Sequence, residues 1–314
     1  MQASLRTIAE PASARVRVRY PLARGRIVLR AEPDWTTDIE PVAVSRDRTC
    51  FDFELPLEGA HRYCKPVLID DEERWAVGHN YLLLESRQIL PHFGPDERCS
   101  ECELLELADA AGRRHRFRVF YPPGYWENTL RRYPVVYMQD GQNLFFPNEA
   151  FGGRHWRIAE TLRVLDAMNA IEQAIVVGVY PQQREIDYTS PGYEAYGDFL
   201  VGELKPFIDS QYRTLAAPAH TAVMGSSLGG VASLHLAWQH PDIFGAAACL
   251  SSTFGWRDDL AQRIERGPQR PIRIYLDSGW PNDNYEATRR MHVRLAARGF
   301  TPGHDLYGDR KSVV

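Results

Sequence analysis

The segment "TAVMGSSLGG", residues 221–230, places a serine between two glycines in the pattern Gly-x-Ser-x-Gly. The apolar residues before the serine predict a strand, and "LGGVASLHLAW" after it predicts a helix. A serine at such a junction lies on a sharp turn that exposes its hydroxyl, and the turn requires small residues two positions away on each side. Ser227 is therefore predicted to be a nucleophile, with Gly225 and Gly229 required by the turn. The alternative is an inert serine in a turn of small residues.

Two backbone N–H groups are candidates for binding a negatively charged oxygen. The N–H of Leu228 follows the serine at a helix N-terminus, where N–H groups favour an anion. The second N–H is expected from the loop after the strand "YPVVYM", which begins Asp140-Gly141-Gln142-Asn143. A turn at this point would direct the N–H of Gln142 towards a substrate carbonyl oxygen. The alternative is an ordinary Asp-Gly turn.

The acid of a catalytic triad is expected after the next-to-last strand, in "IRIYLDSGWPNDNYEATRR". Asp277 lies where the strand ends and is expected to order the loop. Asp283 lies further along, just before a helix, where it is either the triad acid or a helix N-cap. Both interpretations of Asp283 remain open at this stage.

Two different patterns of elements surround these residues. Residues 1–100 contain short runs in which apolar and polar residues alternate, with Pro and Gly between them, which predicts a small all-β sandwich. From residue 101 to residue 314, apolar strands alternate with amphipathic helices, which predicts a mostly parallel α/β sheet covered on both faces. Ligands bind such sheets at the carboxyl ends of the strands, where Ser227, Gln142 and Asp283 are all expected.

The sequence from about residue 103 to 308 resembles the putative-esterase family of α/β-hydrolases, which includes enterochelin, feruloyl and acetylxylan esterases. The resemblance is carried by "YPVVYMQDGQNLF", "REIDYTSPGYEAYGDFLVGELKPFIDSQYRT", "VMGSSLGGVASLHLAWQHPDIFG" and "YLDSG". It implies an α/β-hydrolase fold and a serine carboxylesterase without a metal or other cofactor. It also implies that Ser227 is the nucleophile and Asp283 the acid. The first 100 residues resemble the leading β domain of enterochelin-esterase-like proteins.

The sequence departs from this family at the catalytic histidine. The family places that histidine after a final strand, whereas this chain reads "GFTPGHDLYGDRKSVV", which suggests a catalytic domain shortened at its C-terminus. The order Ser, Asp, His leaves His292, in the middle of a predicted helix, and His304, before the last strand. His155 follows the loop that begins at Asp140 and carries the Gln142 N–H, and it is expected to be a surface or substrate-contacting residue. No histidine in the sequence is a convincing proton acceptor for Ser227.

The composition restricts the classes of partner. A formal net charge of −4 gives no nucleic-acid bias, and no apolar run is long enough to span a membrane. Without an apolar leader at the N-terminus, the protein is expected to be cytoplasmic. Cys99 and Cys102 form a lone C-x-x-C that could bind zinc with Cys50 and Cys64, but the wide spacing of the second pair favours reduced thiols and no metal site.

Ester hydrolysis through an acyl-enzyme on Ser227 is the leading functional hypothesis, with a small-molecule ester of a sugar, phenolic acid or siderophore as substrate. Two alternatives remain: a catalytically weak or lapsed scaffold that binds a saccharide-like ligand, and an acyltransferase that uses the same acyl-enzyme. An exposed sheet edge would also favour homo-oligomers. Aromatic residues in loops at the expected site are candidate substrate contacts: Trp156, Tyr188, Trp256 and Trp280.

Overall fold

The computed structural model describes residues 13–57, 61–94, 102–168, 170–279 and 281–301, and the backbone of residues 306–309. The chain divides into two compact units. The first comprises Met1–Cys99, Pro123–Arg131 and Leu162–Glu172, and the second comprises Ser100–Pro122, Arg132–Thr161 and Gln173–Val314. The first unit therefore includes two later segments that the sequence pattern placed in the α/β region.

The described residues of the first unit form eight strands in two sheets. They are β1 (Ser13–Arg19), β2 (Arg26–Ala31), β3 (Ala43–Val44), β4 (Cys50–Pro56), β5 (Arg62–Ile69), β6 (Glu73–Trp75), β7 (Tyr81–Leu83) and β8 (Arg87–Ile89). One sheet has the order β3-β4-β1-β8. The other has the order β2-β5-β6, with β7 also paired to β5.

Alternating side chains of both sheets form the core of this unit. Val16 and Val18 of β1 are fully buried, and Phe53 of β4 lies in the same cluster as Leu29 of β2 and Cys64 of β5. The arginines that alternate with the valines of β1 face outwards, where Arg17 forms an ion pair with Asp52 of the neighbouring strand. The period-two pattern in the sequence therefore corresponds to a two-sheet sandwich, as predicted.

The second unit consists of strands alternating with helices. Its strands are β9 (Cys102–Ala108), β10 (Arg114–Phe120), β11 (Val135–Gln139), β12 (Ile175–Val179), β13 (Thr221–Ser226), β14 (Ala246–Leu250), β15 (Arg273–Asp277) and β16 (Leu306–Asp309). Its helical segments, in part shared with the first unit, are α1 (Ile158–Ala167), α2 (Arg184–Asp187), α3 (Gly192–Phe199), α4 (Lys205–Gln211), α5 (Leu228–Gln239), α6 (Leu260–Arg266) and α7 (Tyr285–Ala297).

Within the described part of this unit, eight strands form one mixed sheet, in the order β16-β15-β14-β13-β11-β12-β10-β9. Strand β10 is antiparallel to both of its neighbours, and all other neighbouring pairs are parallel. This is the predicted α/β-hydrolase fold. Strand β13 lies near the centre between β11 and β14, so the loops that follow these three strands meet at the same edge of the sheet.

The helical segment formed by α3 and α4, over residues 192–211, is interrupted near its middle. A π-helical turn, Leu200–Leu204, separates α3 from α4. Pro206 is the second residue of α4. A proline ring has no N–H and collides with the carbonyl group four residues earlier, which here lies within the π-helical turn. The wider turn accommodates the proline without ending the helical segment.

Two further features concern the edges and the surface of the described chain. The short strand β16 pairs with β15 in parallel and lies at one edge of the sheet. Among the described helices, none combines the length and the apolar character that crossing a bilayer requires.

Candidate active site

Ser227 lies on a strained turn between β13 and α5. Its backbone has φ 57° and ψ −119°, a sparsely populated combination for a residue with a side chain. The N–H of Ser227 donates to the carbonyl oxygen of Leu250 at 2.9 Å, and its own carbonyl accepts from the N–H of Gly230 at 3.2 Å. These bonds hold the turn to the end of β14 on one side and to the first turn of α5 on the other.

The glycines around Ser227 allow close approach of the backbone. A β-carbon on Gly225 would lie 2.4 Å from the carbonyl carbon and oxygen of Gly229, and one on Gly230 would lie 1.9 Å from the hydroxyl of Ser252. Both distances are far below normal contact, so a side chain at either position would displace the strand or the helix. The requirement for glycine is therefore steric at both positions, including Gly230, outside the five-residue motif.

The loop after β11 forms a short 3-10 turn, Gly141–Asn143. The N–H of Asn143 donates to the carbonyl of Asp140 at 2.8 Å. The backbone N–H groups of Gln142 and Leu228 have no hydrogen-bond acceptor within the part of the chain that the structure describes. Both groups are thus free to donate to a ligand.

Asp140 joins this loop to the segment that begins at Arg184. Its carboxylate accepts two hydrogen bonds from Arg184, from Nε and Nη2, each at 2.8 Å. Its N–H donates to the hydroxyl of Tyr188 at 2.9 Å. The hydrogen bonds with Asp140 raise the pKa of the Arg184 guanidinium. Arg184 was not singled out in the sequence, because an arginine 44 positions from its partner carries no local signal.

Tyr188 does not contact the pocket, contrary to the prediction from its place in the sequence. Its side chain is completely buried beneath the loop, and burial raises its pKa well above the ordinary value. The hydroxyl accepts the hydrogen bond from Asp140 that was described above. Tyr188 therefore supports the loop and is not available to a substrate.

The two candidate acids have different surroundings. The carboxylate of Asp283 accepts hydrogen bonds from the hydroxyl of Ser251 and from the N–H of Gly279, the latter at 3.0 Å. Asp277 is the last residue of β15, and its Oδ1 accepts from the N–H of Ser251 at 3.1 Å. Asn284 continues from Asp283 and donates to the carbonyl of Ser251 at 2.6 Å. The three contacts with Ser251 converge just after the end of β14, whose last residue, Leu250, accepts from the N–H of Ser227.

A pocket of about 500 Å³ opens beside Ser227. Ser227, Leu228, Arg184 and Asn284 lie in its wall, with Phe254 and Trp256 from the loop after β14. Trp256 is 45% exposed, so its ring is accessible to a ligand. Trp156 is only partly exposed. Its backbone N–H donates to the carbonyl of Asn143 at 2.7 Å, which connects Trp156 to the loop after β11. Trp280 lies outside the described residues.

No histidine within the described residues is hydrogen-bonded to Ser227 or Asp283. The ring of His155 lies 3.7 Å from the carboxylate of Glu160. His292 lies within α7, and His304 lies outside the described residues. The structure therefore links the Ser227 turn to the end of β14 and Asp283 to the residue that follows β14, with no histidine of the described residues bonded to either. The catalytic roles of Ser227, Leu228, Gln142 and Asp283 remain predictions.

The described residues contain no group of three or more His, Cys, Asp or Glu side chains arranged to hold a metal ion. Cys50 and Cys64 are free thiols, and Cys99 lies outside the described residues. Burial raises the pKa of the Cys64 thiol to about 12, which favours its protonated form. The groups at the candidate site are therefore the hydroxyl of Ser227 on its strained turn and the backbone N–H groups beside it.

Comparison with known proteins identifies the family of the chain. The sequence model of the family described as "Putative esterase" matches residues 108–301. The chain is 24% identical over 217 residues to the uncharacterised protein YbbA of Bacillus subtilis, covering 61% of this chain and 81% of that protein. It is 26% identical over 199 residues to an endo-1,4-beta-xylanase/feruloyl esterase of Xylanibacter ruminicola, covering 62% of this chain but 26% of that longer protein.

Solved structures show the same fold. A ferulic acid esterase superposes with a TM-score of 0.55 at 18% identity, covering 67% of this chain and 89% of that one. A ferric enterobactin esterase from Salmonella typhimurium also gives a TM-score of 0.55, at 13% identity, and covers 90% of this chain and 82% of its own. The latter match extends well beyond the α/β unit.

Proposed function

Since the chain belongs to the "Putative esterase" family, we propose that it hydrolyses carboxylic esters through an acyl-enzyme formed on Ser227. The observation that carries this proposal is the backbone of Ser227, with φ 57° at the junction of β13 and α5. Such a turn stores strain, and its place at the wall of an open pocket gives the hydroxyl access to a substrate.

In the proposed reaction, Oγ of Ser227 attacks the acyl carbon of the ester. The carbonyl oxygen becomes negatively charged and accepts hydrogen bonds from the N–H groups of Leu228 and Gln142. The bond to the alcohol then breaks, and the serine proton ends on the departing alcohol. Water next attacks the acyl-serine and releases the acid. Asp283 is proposed as the acid of the catalytic triad.

The substrate is proposed to be a small-molecule ester with an apolar or aromatic part. Phe254 and Trp256 offer ring surface in the pocket, and Arg184 offers a donor on the same wall. The family relatives that are named as feruloyl and enterobactin esterases act on esters, which supports the same reaction class here. The acceptor of the acyl group is proposed to be water.

The experiment is hydrolysis of p-nitrophenyl acetate by the whole chain and by Ser227→Ala. The proposal expects a rate above the uncatalysed reaction that is lost in the alanine variant. Ser226→Ala is the matched control, because Ser226 is the last residue of β13, beside the turn, and has no assigned role. Equal rates for the whole chain and Ser227→Ala would contradict the proposal.

Ligand binding without turnover is a second candidate function, favoured by the absence of a histidine contact to Ser227 among the described residues. The two candidates differ in a single measurement. Binding alone predicts that a saccharide or aromatic ester is retained unchanged, whereas the esterase releases its acid and alcohol.

A further inference from the structure

The loop that carries the Gln142 N–H is fixed through Asp140. This residue has φ 56° and ψ 48°, in the left-handed region that residues with side chains adopt uncommonly. Its side chain does not cap the 3-10 turn that follows, which is the usual local role of an aspartate in such a position. The carboxylate reaches Arg184 instead, so the strained conformation is stabilised by a residue far away in the sequence.

The partners of Asp140 come from one short segment of chain. Arg184 is the first residue of α2, and Tyr188 directly follows its last residue. Arg184 donates two hydrogen bonds to the Asp140 carboxylate, and the Tyr188 hydroxyl accepts one from the Asp140 N–H. The bidentate geometry fixes direction as well as distance, because the guanidinium is planar. One helical turn thus holds both the backbone and the side chain of the residue two positions before Gln142.

Packing gives this loop little freedom to move independently of Asp140. A β-carbon on Gly141 would lie 2.4 Å from the backbone of Gly178, so Gly141 lies directly on β12. On the other side, Oδ2 of Asp140 lies 3.4 Å from the position of a β-carbon on Gly229. The start of the loop is therefore wedged between β12 and the Ser227 turn.

The ion pair between Asp140 and Arg184 also lies at the pocket. The Asp140 side chain is 3% exposed and the Arg184 side chain 39% exposed, and Arg184 lines the pocket beside Ser227. A buried carboxylate that loses its partner is strongly destabilised and moves or takes up water. Loss of Arg184 would therefore shift Asp140 and, with it, the N–H of Gln142.

We propose that Asp140 and Arg184 are positioning residues for ester hydrolysis: the pair holds the Gln142 N–H in the orientation that stabilises the oxyanion. This inference rests on the proposed function. Since the contact of Gln142 with the substrate oxygen strengthens in the transition state, loss of the pair lowers kcat more than it changes KM.

The test compares Arg184→Gln, Arg184→Lys and Asp140→Asn with the unaltered chain on p-nitrophenyl acetate. Complete loss of one oxyanion donor costs on the order of 10² to 10³ in kcat. A misplaced donor is expected to cost about 10- to 100-fold, with KM within about threefold of the unaltered value. Arg184→Lys keeps the charge but not the bidentate geometry and is expected to fall between the unaltered chain and Arg184→Gln.

Two further measurements separate positioning from a general effect on folding. The double variant Asp140→Asn with Arg184→Gln is expected to be no slower than the slower single variant, because both changes break the same interaction. The affinity for a small boronic acid, which forms a tetrahedral adduct with the serine, is expected to fall in proportion to kcat/KM. A purely structural role would lower the melting temperature without moving this affinity.

Lys205→Met is the matched control. Lys205 is almost fully buried and forms an ion pair with Asp209, and its Nζ also donates to the carbonyl of Ala216. This pair lies on the chain that leads into β13, at the opposite end of the strand from Ser227. Its loss is expected to lower the melting temperature while kcat per folded molecule stays within about twofold.

Tyr188→Phe provides a second test if the variants of Asp140 and Arg184 do not fold. It removes only the hydroxyl that accepts from the N–H of Asp140, and a several-fold loss of kcat is expected. If every folded variant keeps kcat within about twofold while Ser227→Ala is inactive, the positioning role is wrong and the esterase stands. If Ser227→Ala is as active as the unaltered chain, the proposed function itself has failed.

Discussion

The N–H of Ser227 donates to the carbonyl oxygen of Leu250 at 2.9 Å, and this bond joins the turn after β13 to the end of β14. Ser251 follows Leu250 directly, just after the end of β14, and its hydroxyl donates to Asp283. The proposed nucleophile and the proposed acid are thus connected through two consecutive residues at the end of β14. This connection explains how groups 56 positions apart in the sequence are held at one site.

The steric role of Gly225 predicts a loss of both stability and activity in Gly225→Ala. The new methyl group would lie 2.4 Å from the backbone of Gly229, so the turn must open, at a cost of about 1–3 kcal/mol in the free energy of unfolding. Urea unfolding and hydrolysis of p-nitrophenyl acetate measure the two effects. Gly202→Ala is the matched control, because nothing lies within 4 Å of its β-carbon position, and it is expected to be neutral or slightly stabilising. Equal behaviour of the two variants would contradict the steric argument.

Asp283 and Asp277 are expected to differ in what their asparagine variants lose. Asp277→Asn weakens an acceptor for the N–H of Ser251 and is expected to lower the melting temperature. Asp283→Asn is expected to lower kcat measured with added imidazole as the base, because the carboxylate would orient that base, with a smaller change in melting temperature. Melting curves and kcat for the two variants provide the test. The reverse pattern would reassign the acid to Asp277, and equally small changes in kcat would mean that no acid–base pair operates.

No histidine of the described residues contacts Ser227, and we propose that these residues alone give slow ester hydrolysis. Loss of one triad member costs about 10⁴ to 10⁶ in kcat, although an oxyanion hole alone still gives about 10³ to 10⁴ over water. Activated esters are therefore expected to react and unactivated esters hardly at all. Added imidazole, which can enter the open pocket, is expected to accelerate the reaction of the unaltered chain but not that of Ser227→Ala.

Variants of His155 and His304 test whether either histidine acts as the base for Ser227. His155→Ala and His304→Ala are each expected to leave the rate on p-nitrophenyl acetate unchanged. A kcat near the ordinary enzyme value of about 10 s⁻¹ on an unactivated ester would contradict the prediction. The variant that abolished such a rate would identify the base.

His235 is expected to make stability depend on pH. Burial, with a smaller contribution from the charge of Arg263, lowers its pKa from 6.5 to about 3. Between pH 3 and pH 6.5, His235 therefore binds a proton in the unfolded chain but not in the folded chain. The free energy of unfolding is complete above pH 6.5 and falls as the pH drops towards 3, by at most about 1.4 kcal/mol per pH unit.

His235→Phe tests this pH dependence directly. Phenylalanine can keep the stacking on Tyr193, whose ring centre lies 3.8 Å from that of His235, but it does not titrate. Urea unfolding at pH 7 and pH 5 is expected to show a smaller loss of stability for the variant, by at most about 2 kcal/mol. Identical losses for the two chains would show that His235 is not protonated preferentially in the unfolded state.

The parts of the fold that depend on local pattern could be predicted from the sequence. Alternating valines and arginines in β1 indicate one buried face, and the short apolar strands of the second unit indicate a parallel sheet. The turn at Ser227 has the same local character, because strand, glycines and helix lie within a few residues. These features follow from periodicity and from steric requirements that neighbouring residues impose.

The remaining features depend on contacts between distant segments. Nothing near Asp140 in the sequence indicates that its carboxylate is paired with Arg184. The sequence places Tyr188 in a loop at the expected site, where an exposed side chain is predicted, but the side chain is fully buried. The assignment of Pro123–Arg131 to the first unit also depends on packing. Such relationships are set by tertiary structure, which the residue pattern along the chain does not encode locally.

The most direct test of the esterase proposal is the location of a covalent adduct. The chain is treated with a fluorophosphonate, digested, and analysed by mass spectrometry. The account predicts a single modified peptide, with the label on Ser227 and none on the neighbouring Ser226, Ser251 or Ser252. It also predicts that prior incubation with a boronic acid slows labelling. A label on another serine, or equal labelling of Ser227→Ala, would contradict the assignment of Ser227 as the nucleophile.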